Sequence, residues 1–141
     1  MNIVYVESSA VLSWLLGEAE QDRVLQQLQK ANHVVTSAIT PIECGRALVR
    51  ARKSGRITES SELAALRLLD DVTASLNVLD ISDQVARRAR TAFPREPVRT
   101  LDALHLASAL EFQEAVNDLR VLSLDDRVRD NASALGMKVV P

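Results

Sequence analysis

Five short apolar runs, separated by helix-patterned sequence, constrain this chain more than any other feature. They are Ile3-Val4-Tyr5-Val6, His33-Val34-Val35-Thr36, Leu76-Asn77-Val78-Leu79, Leu119-Arg120-Val121-Leu122 and Met137-Lys138-Val139-Val140. Such brief, largely continuous runs suit strands buried on both faces of a parallel sheet. Parallel neighbours need crossover connections, so helices must cover both faces. The expectation is a three-layer α/β/α sandwich around a central, mainly parallel sheet of four to five strands.

The segments between the runs carry their own start and stop signals. A short helix over residues 10–16 should end at Gly17, and a second should cover residues 20–31. Thr40-Pro41-Ile42-Glu43 reads as a helix start twice over, with Pro at the first helical position and a Thr-x-x-Glu capping box. That helix should stop at Gly55. Thr58 opens another, with Leu63, Leu66, Leu69 and Val72 inward, and Ser82 caps one that buries Val85, Ala86, Ala89 and Phe93. Pro94 and Pro97 mark a loop. The last helix, over residues 126–135, closes at Gly136. The most apolar helical run is residues 100–110, small or apolar on most sides, which predicts a helix packed deep in the fold. Thr100 reads as its N-cap, leaving Asp102 in the first turn at the open end.

Composition narrows the function classes. A length of 141 residues suits one domain, 1–141, with a single core. Aromatic residues make up only 3%, too few for a protein that grips nucleic acid mainly by base stacking. A net charge of −2 neither demands nor forbids a polyanionic partner. The single cysteine, Cys44, rules out an internal disulfide and a thiolate metal site, and reads as a core residue. No run is long enough for a membrane span, and no basic-then-apolar leader precedes the first strand, so a cytoplasmic location is expected.

Ligands of open parallel sheets bind outside the carboxyl ends of the strands. Four acids fall there: Glu7 after the first strand, Glu43 in the helix after the second, Asp102 at the mouth of the buried helix, and Asp125 after the fourth strand. Each of the last three has a local use, in a capping box, opposite a helix dipole or as an N-cap. Glu7 has none. Four carboxylates in a partly desolvated cleft would repel, and a divalent cation removes the conflict. An all-oxygen set selects Mg²⁺ or Mn²⁺ over Zn²⁺, and such ions suit attack of water on a phosphodiester.

Val4-Tyr5-Val6-Glu7-Ser8-Ser9, Thr40-Pro41-Ile42-Glu43, Leu101-Asp102-Ala103-Leu104-His105-Leu106-Ala107 and Leu122-Ser123-Leu124-Asp125, in that order, resemble the PIN domain. Within that superfamily the chain looks most like the VapC-type toxins of bacterial toxin–antitoxin pairs. The resemblance implies a Mg²⁺- or Mn²⁺-dependent endoribonuclease acting on RNA, held inactive by a cognate antitoxin, and a homodimer. It places Glu43, Asp102 and Asp125 at the family's second, third and fourth acids. Ser9 and Ser123 match the hydroxyl residues beside the first and fourth. Position 7 departs from the pattern, since Glu stands where the family usually has Asp and its carboxylate lies one methylene farther from the backbone. On this reading Glu7, Asp102 and Asp125 hold the metal, and Glu43 orients a water or helps bind a second ion.

Positive charge should flank an acidic site that takes RNA. Arg46, Arg50 and Lys53 share a helical stripe, and Arg87, Arg88, Arg90, Arg95 and Arg99 form a second basic stretch. Each group reads equally as a solvated, salt-bridged face. His105, one turn beyond Asp102 in apolar surroundings, reads as a packed, hydrogen-bonded histidine rather than a general acid. Trp14 reads as a packing or interface residue, near which the resemblance would place the antitoxin.

Three other readings compete. Glu7 would make the chain a catalytically weakened PIN-like domain, acting as an RNA- or partner-binding module. A phosphoacceptor receiver domain needs paired acids after the first strand and a Lys after the last, and the chain has one Glu there and ends in Val140 and Pro141. Dinucleotide binding needs a Gly-rich turn after the first strand, which is missing.

Overall fold

The structure is a computed structural model that describes residues 1–141. In chain order it runs β1 (Ile3–Val6), α1 (Ser8–Leu15), α2 (Gln21–Lys30), β2 (His33–Ser37), α3 (Ile39–Lys53), α4 (Glu59–Ser75), β3 (Asn77–Leu79), α5 (Asp83–Ala89), α6 (Thr100–Val116), β4 (Leu119–Leu122), α7 (Asp126–Ala134) and β5 (Lys138–Val140). The strands form one sheet in the order β3-β2-β1-β4-β5, and all four pairings are parallel.

β1 is central because its side chains are apolar on both faces. Val4 and Val6 enter one core with Ala10, Val11, Val24, Leu48 and Leu69, which come from α1 to α4. Tyr5 points the other way, into a core with Leu106, Ala109, Val128 and Ala132 of α6 and α7. One strand thus feeds two hydrophobic layers, which yields the expected three-layer sandwich. Cys44 is fully buried in the first core. No helix is long and apolar enough to cross a membrane.

The crossovers leave β1 towards β2 and β4 towards β5, so the direction of winding reverses between β1 and β4. That reversal opens a crevice at the carboxyl ends of the two strands. Glu7 N donates to Leu122 O at 2.9 Å, tying the rims of the crevice together.

Several start and stop signals hold. Thr58 and Ser82 cap their helices by accepting from the amides of Ser61 and Val85. Gly55 and Gly136 take φ of +79° and +85°, a region costly for other residues. Others are overridden. α3 begins at Ile39, whose amide donates to Ser37 Oγ at 3.2 Å. Thr40 then lies inside the helix, with its hydroxyl paired to Thr36 at 2.7 Å. The capping box at Thr40 is therefore absent and Glu43 is released for other partners. α6 starts at Thr100 itself, with Arg99 as an extended N-cap that makes no side-chain cap bond. In α4, Leu63 is 51% exposed, and Ala65, Leu69 and Val72 form the buried face.

Leu106 is almost fully buried on α6, the helix that presents Asp102. Leu106→Ala is expected to cost about 2–5 kcal/mol through lost burial and a residual cavity. Urea denaturation of both proteins measures it, and a cost below 1 kcal/mol would mean that this layer repacks freely.

Candidate active site

Glu7 directly follows the central strand as the N-cap residue of α1 and points into the crevice, where it is only 4% exposed. Its Oε2 accepts from Ser123 Oγ at 2.7 Å and from Ser9 Oγ. Both hydroxyls have a second duty: Ser9 Oγ accepts from Leu124 N at 2.8 Å, and Ser123 Oγ accepts from Asp125 N at 3.1 Å. The β1–α1 and β4–α7 turns are stitched together around one carboxylate. The additional methylene of Glu is accommodated, because its oxygen is fixed from both sides.

Glu43 meets α6 through His105. His105 is buried on the sheet-facing side of α6, with Nε2 at 2.5 Å from Glu43 Oε1 and 4.0 Å from Glu7 Oε1. Its Nδ1 lies 2.8 Å from the hydroxyl of Tyr5, and Ser8 Oγ donates to Glu43 Oε1 at 2.9 Å. A carboxylate only accepts hydrogen bonds, so the network assigns a proton to Nε2, while Nδ1 pairs with the Tyr5 hydroxyl. Burial and then the charge of Glu7 hold the Tyr5 hydroxyl well above its ordinary range, which keeps that donor protonated. For Glu43, burial pushes the carboxyl up. The hydrogen bond and charge of His105, the Ser8 hydroxyl and the charge of Arg99 outweigh burial and hold it below its ordinary 4.5.

The two aspartates form the other half. Arg99 Nε donates to Asp102 Oδ2 at 2.8 Å, and its Nη2 lies 3.3 Å from Asp102 Oδ1 and 3.1 Å from Asp125 Oδ2. Asp102 is buried, whereas Asp125 is partly open and caps α7 by accepting from the amides of Arg127 and Val128. Glu43 thus takes His105 Nε2, Asp102 and Asp125 share Arg99 Nη2, and Ser123 links Glu7 to the Asp125 turn. All four expected acids lie at one edge, together with Ser9 and Ser123.

The donor chemistry fits a hard divalent cation: carboxylate and hydroxyl oxygens predominate, and the guanidinium between Asp102 and Asp125 shows that this position attracts positive charge. With the side chains so arranged, no three His, Cys, Asp or Glu groups are placed to share one ion. The acids are instead engaged by the protein's own donors.

Arg46 and Arg50 are exposed on α3 and, with Leu12, Ile39, Ile42, Glu43 and Leu101, line a cavity that opens beside the acids. The second basic stretch divides. Arg88 stacks over the Phe93 ring at 4.1 Å, a packing role, and Arg99 belongs to the site itself. Tyr5 and Ser8 escaped the sequence reading. Their signals were present, in the only tyrosine of the chain set within an aliphatic strand two residues before Glu7, and in a second serine after Glu7.

Residues 4–134 match the PIN domain family, and the chain belongs to it. Its relatives include VapC ribonucleases of Mycobacterium tuberculosis. It is 37% identical to Ribonuclease VapC46, with 99% of this chain and 98% of that one covered. To Ribonuclease VapC35 it is 29% identical, with 98% and 96% covered. Among solved structures, VapC20 of Mycobacterium tuberculosis, described as a sarcin-ricin loop cleaving toxin, superposes with a TM-score of 0.69 at 17% identity, covering 98% of this chain and 99% of that one. FitAcB of Neisseria gonorrhoeae gives a TM-score of 0.71 at 17% identity, covering 98% and 96%. At these identities the two structures establish the fold.

The lowered pKa of Glu43 has a pH consequence. A depressed carboxyl stabilises the fold at pH above its unfolded value, and that contribution is lost as pH falls through the lower folded value. Acidification below about pH 4.5 should therefore narrow the stability gap between the native protein and Glu43→Gln. Thermal melts of both between pH 7 and about 3 check this, and a gap that stays constant or widens would contradict it.

Proposed function

We infer that this protein is the endoribonuclease toxin of a VapBC-type toxin–antitoxin pair. The observation that carries the reading is the gathering of Glu7, Glu43, Asp102 and Asp125 at the crevice between β1 and β4 of a PIN domain. The VapC ribonucleases that match the chain end to end support it.

We further propose that the reaction depends on Mg²⁺ or Mn²⁺, held by Glu7, Asp102 and Asp125. Bound there, the ion would supply Lewis acidity to a phosphate oxygen and make a coordinated water more acidic. Glu43 would orient the attacking water. Its Oε1 is taken by His105 and Ser8, leaving Oε2 free to accept the proton of a water in the crevice. The Tyr5–His105 pair would keep that carboxylate ionised and fixed. Ser9 and Ser123 would set the reach of Glu7, and the order they impose speaks for a working site rather than the weakened one.

RNA would approach over α3, where Arg46 and Arg50 offer unpaired positive charge and the exposed Ile42 and Leu101 offer apolar contact. An antitoxin is the expected protein partner. Structural neighbours include a member of the VapBC family of toxin–antitoxin systems and FitAB bound to a DNA fragment. A surface suited to it surrounds Trp14, which lines two adjoining apolar depressions formed with Leu15, Leu16, Ile57 and Leu68 on one side and with Leu28, Val34 and Leu76 on the other. A homodimer and a cytoplasmic location complete the proposal.

Purified, partner-free protein should cut RNA in Mg²⁺ or Mn²⁺ and stop in chelator. Asp102→Asn should lower cleavage at least a hundredfold while remaining folded by circular dichroism, the scale of losing a group that holds the catalytic ion. Full cleavage in chelator would remove the metal from the reaction, and full cleavage by Asp102→Asn would remove Asp102. Reversing Arg46 and Arg50 to Glu should weaken RNA binding and flatten its salt dependence by about one to two ions. An unchanged slope would route the RNA elsewhere.

A further inference from the structure

We propose that Arg99 is an exchangeable internal counter-ion: it holds Asp102 and Asp125 in place of a metal ion, and a divalent cation must displace it to load the site. This rests on the reading that the two aspartates are metal ligands.

The case begins with the oxygens. Asp102 presents both of its carboxylate oxygens to Arg99, at 2.8 and 3.3 Å. Asp125 keeps Oδ1 for the first amides of α7 and gives Oδ2 to Arg99 Nη2. A guanidinium within hydrogen-bond distance of three of these four oxygens repels any second cation that approaches them. Glu7 differs, since its donors are neutral hydroxyls, which do not oppose a metal. Arg99 is therefore the one group in the site whose charge competes for the same ligands. Its charge also reaches Glu43, whose carboxyl it helps to hold down.

Arg99 is also built to let go. Asp102 is buried, but the Arg99 side chain is 60% exposed and makes no further hydrogen bond or ion pair. It hangs from the N-cap of α6 and reaches forward to the third residue of that helix, so withdrawal disturbs no packed core. A buried carboxylate left without any counter-charge is costly, whereas one that trades a guanidinium for a divalent ion is not. Arg99 would thus keep Asp102 ionised and correctly placed, and would set the metal concentration at which the protein becomes competent.

The experiment is calorimetric titration of Mn²⁺ into the full chain at low ionic strength, comparing the native protein with Arg99→Met and Arg95→Met. Arg95 lies in the same loop but pairs with neither aspartate. Arg99→Met should bind Mn²⁺ roughly five- to tenfold more tightly than the native protein, and Arg95→Met within about twofold of it. Melting without metal should be lower for Arg99→Met than for the native protein, and its rise with Mn²⁺ should be larger. Arg99→Gln, which keeps donors for Asp102 but not the charge, should also tighten binding and covers the case in which Arg99→Met folds poorly. Equal or weaker binding by both Arg99 variants would overturn the proposal, as would equal tightening by Arg95→Met. Mn²⁺ uptake by none of the proteins would overturn it together with the metal-dependent reading. Uptake of equal affinity overturns the counter-ion alone.

Discussion

Crowding of negative charge at one edge of a parallel sheet is the constraint that the rest of this molecule answers to. Two unit charges 4 Å apart at an effective dielectric near 20 interact by about 4 kcal/mol, so four carboxylates in a crevice cannot be left to themselves. Each receives a different remedy. Hydroxyls of Ser9 and Ser123 fix Glu7, an imidazole N–H and the Ser8 hydroxyl hold Glu43, and a forked guanidinium spans Asp102 and Asp125. These groups preorganise the acids, and they do so from regular elements and the first turns of helices, where positions are well defined.

The fold supplies the rest. Reversal of winding between β1 and β4 opens the crevice, and Ala109, small and buried one turn after His105, lets α6 lie close against the sheet. The closeness is what allows His105, on a helix, to touch Tyr5 on the central strand and Glu43 on a helix from the opposite layer. A buried His–Tyr–carboxylate network is stable only when every member is satisfied, and here His105 uses both ring nitrogens. The interior of the site therefore belongs to the core as much as to the chemistry.

The sheet was legible in the sequence because both faces of a parallel strand must be apolar, a demand that leaves a visible run at Ile3-Val4-Tyr5-Val6. The acids were legible because strand ends in such a sheet share one edge. Partners that meet across the fold were not. Thr40 and Glu43 have the spacing of a capping box, yet Ser37 accepts from the first amide of the helix and a histidine 62 positions away takes Glu43. Leu63 fits a helical stripe, and Leu69 and Val72 of that stripe are buried, but in the first turns of α4 it is Ala65 that packs inward while Leu63 is exposed. Arg99 sits in a basic stretch and reads as a surface charge, since nothing local shows that Asp125 returns to it from the next strand. Short-range periodicity reports which side of an element is buried. It does not report what arrives from the other side of the sheet.

The proposed metal-dependent reaction rests on one physical claim: these acids are collected to hold a hard cation. The most direct test is anomalous diffraction from crystals of the protein soaked in Mn²⁺. The account predicts a peak bonded to Asp102 and to Glu7 or Asp125, with the Arg99 guanidinium moved off the aspartate oxygens. An ordered crystal with Arg99 still bridging Asp102 and Asp125, and with no manganese in the crevice, would contradict it.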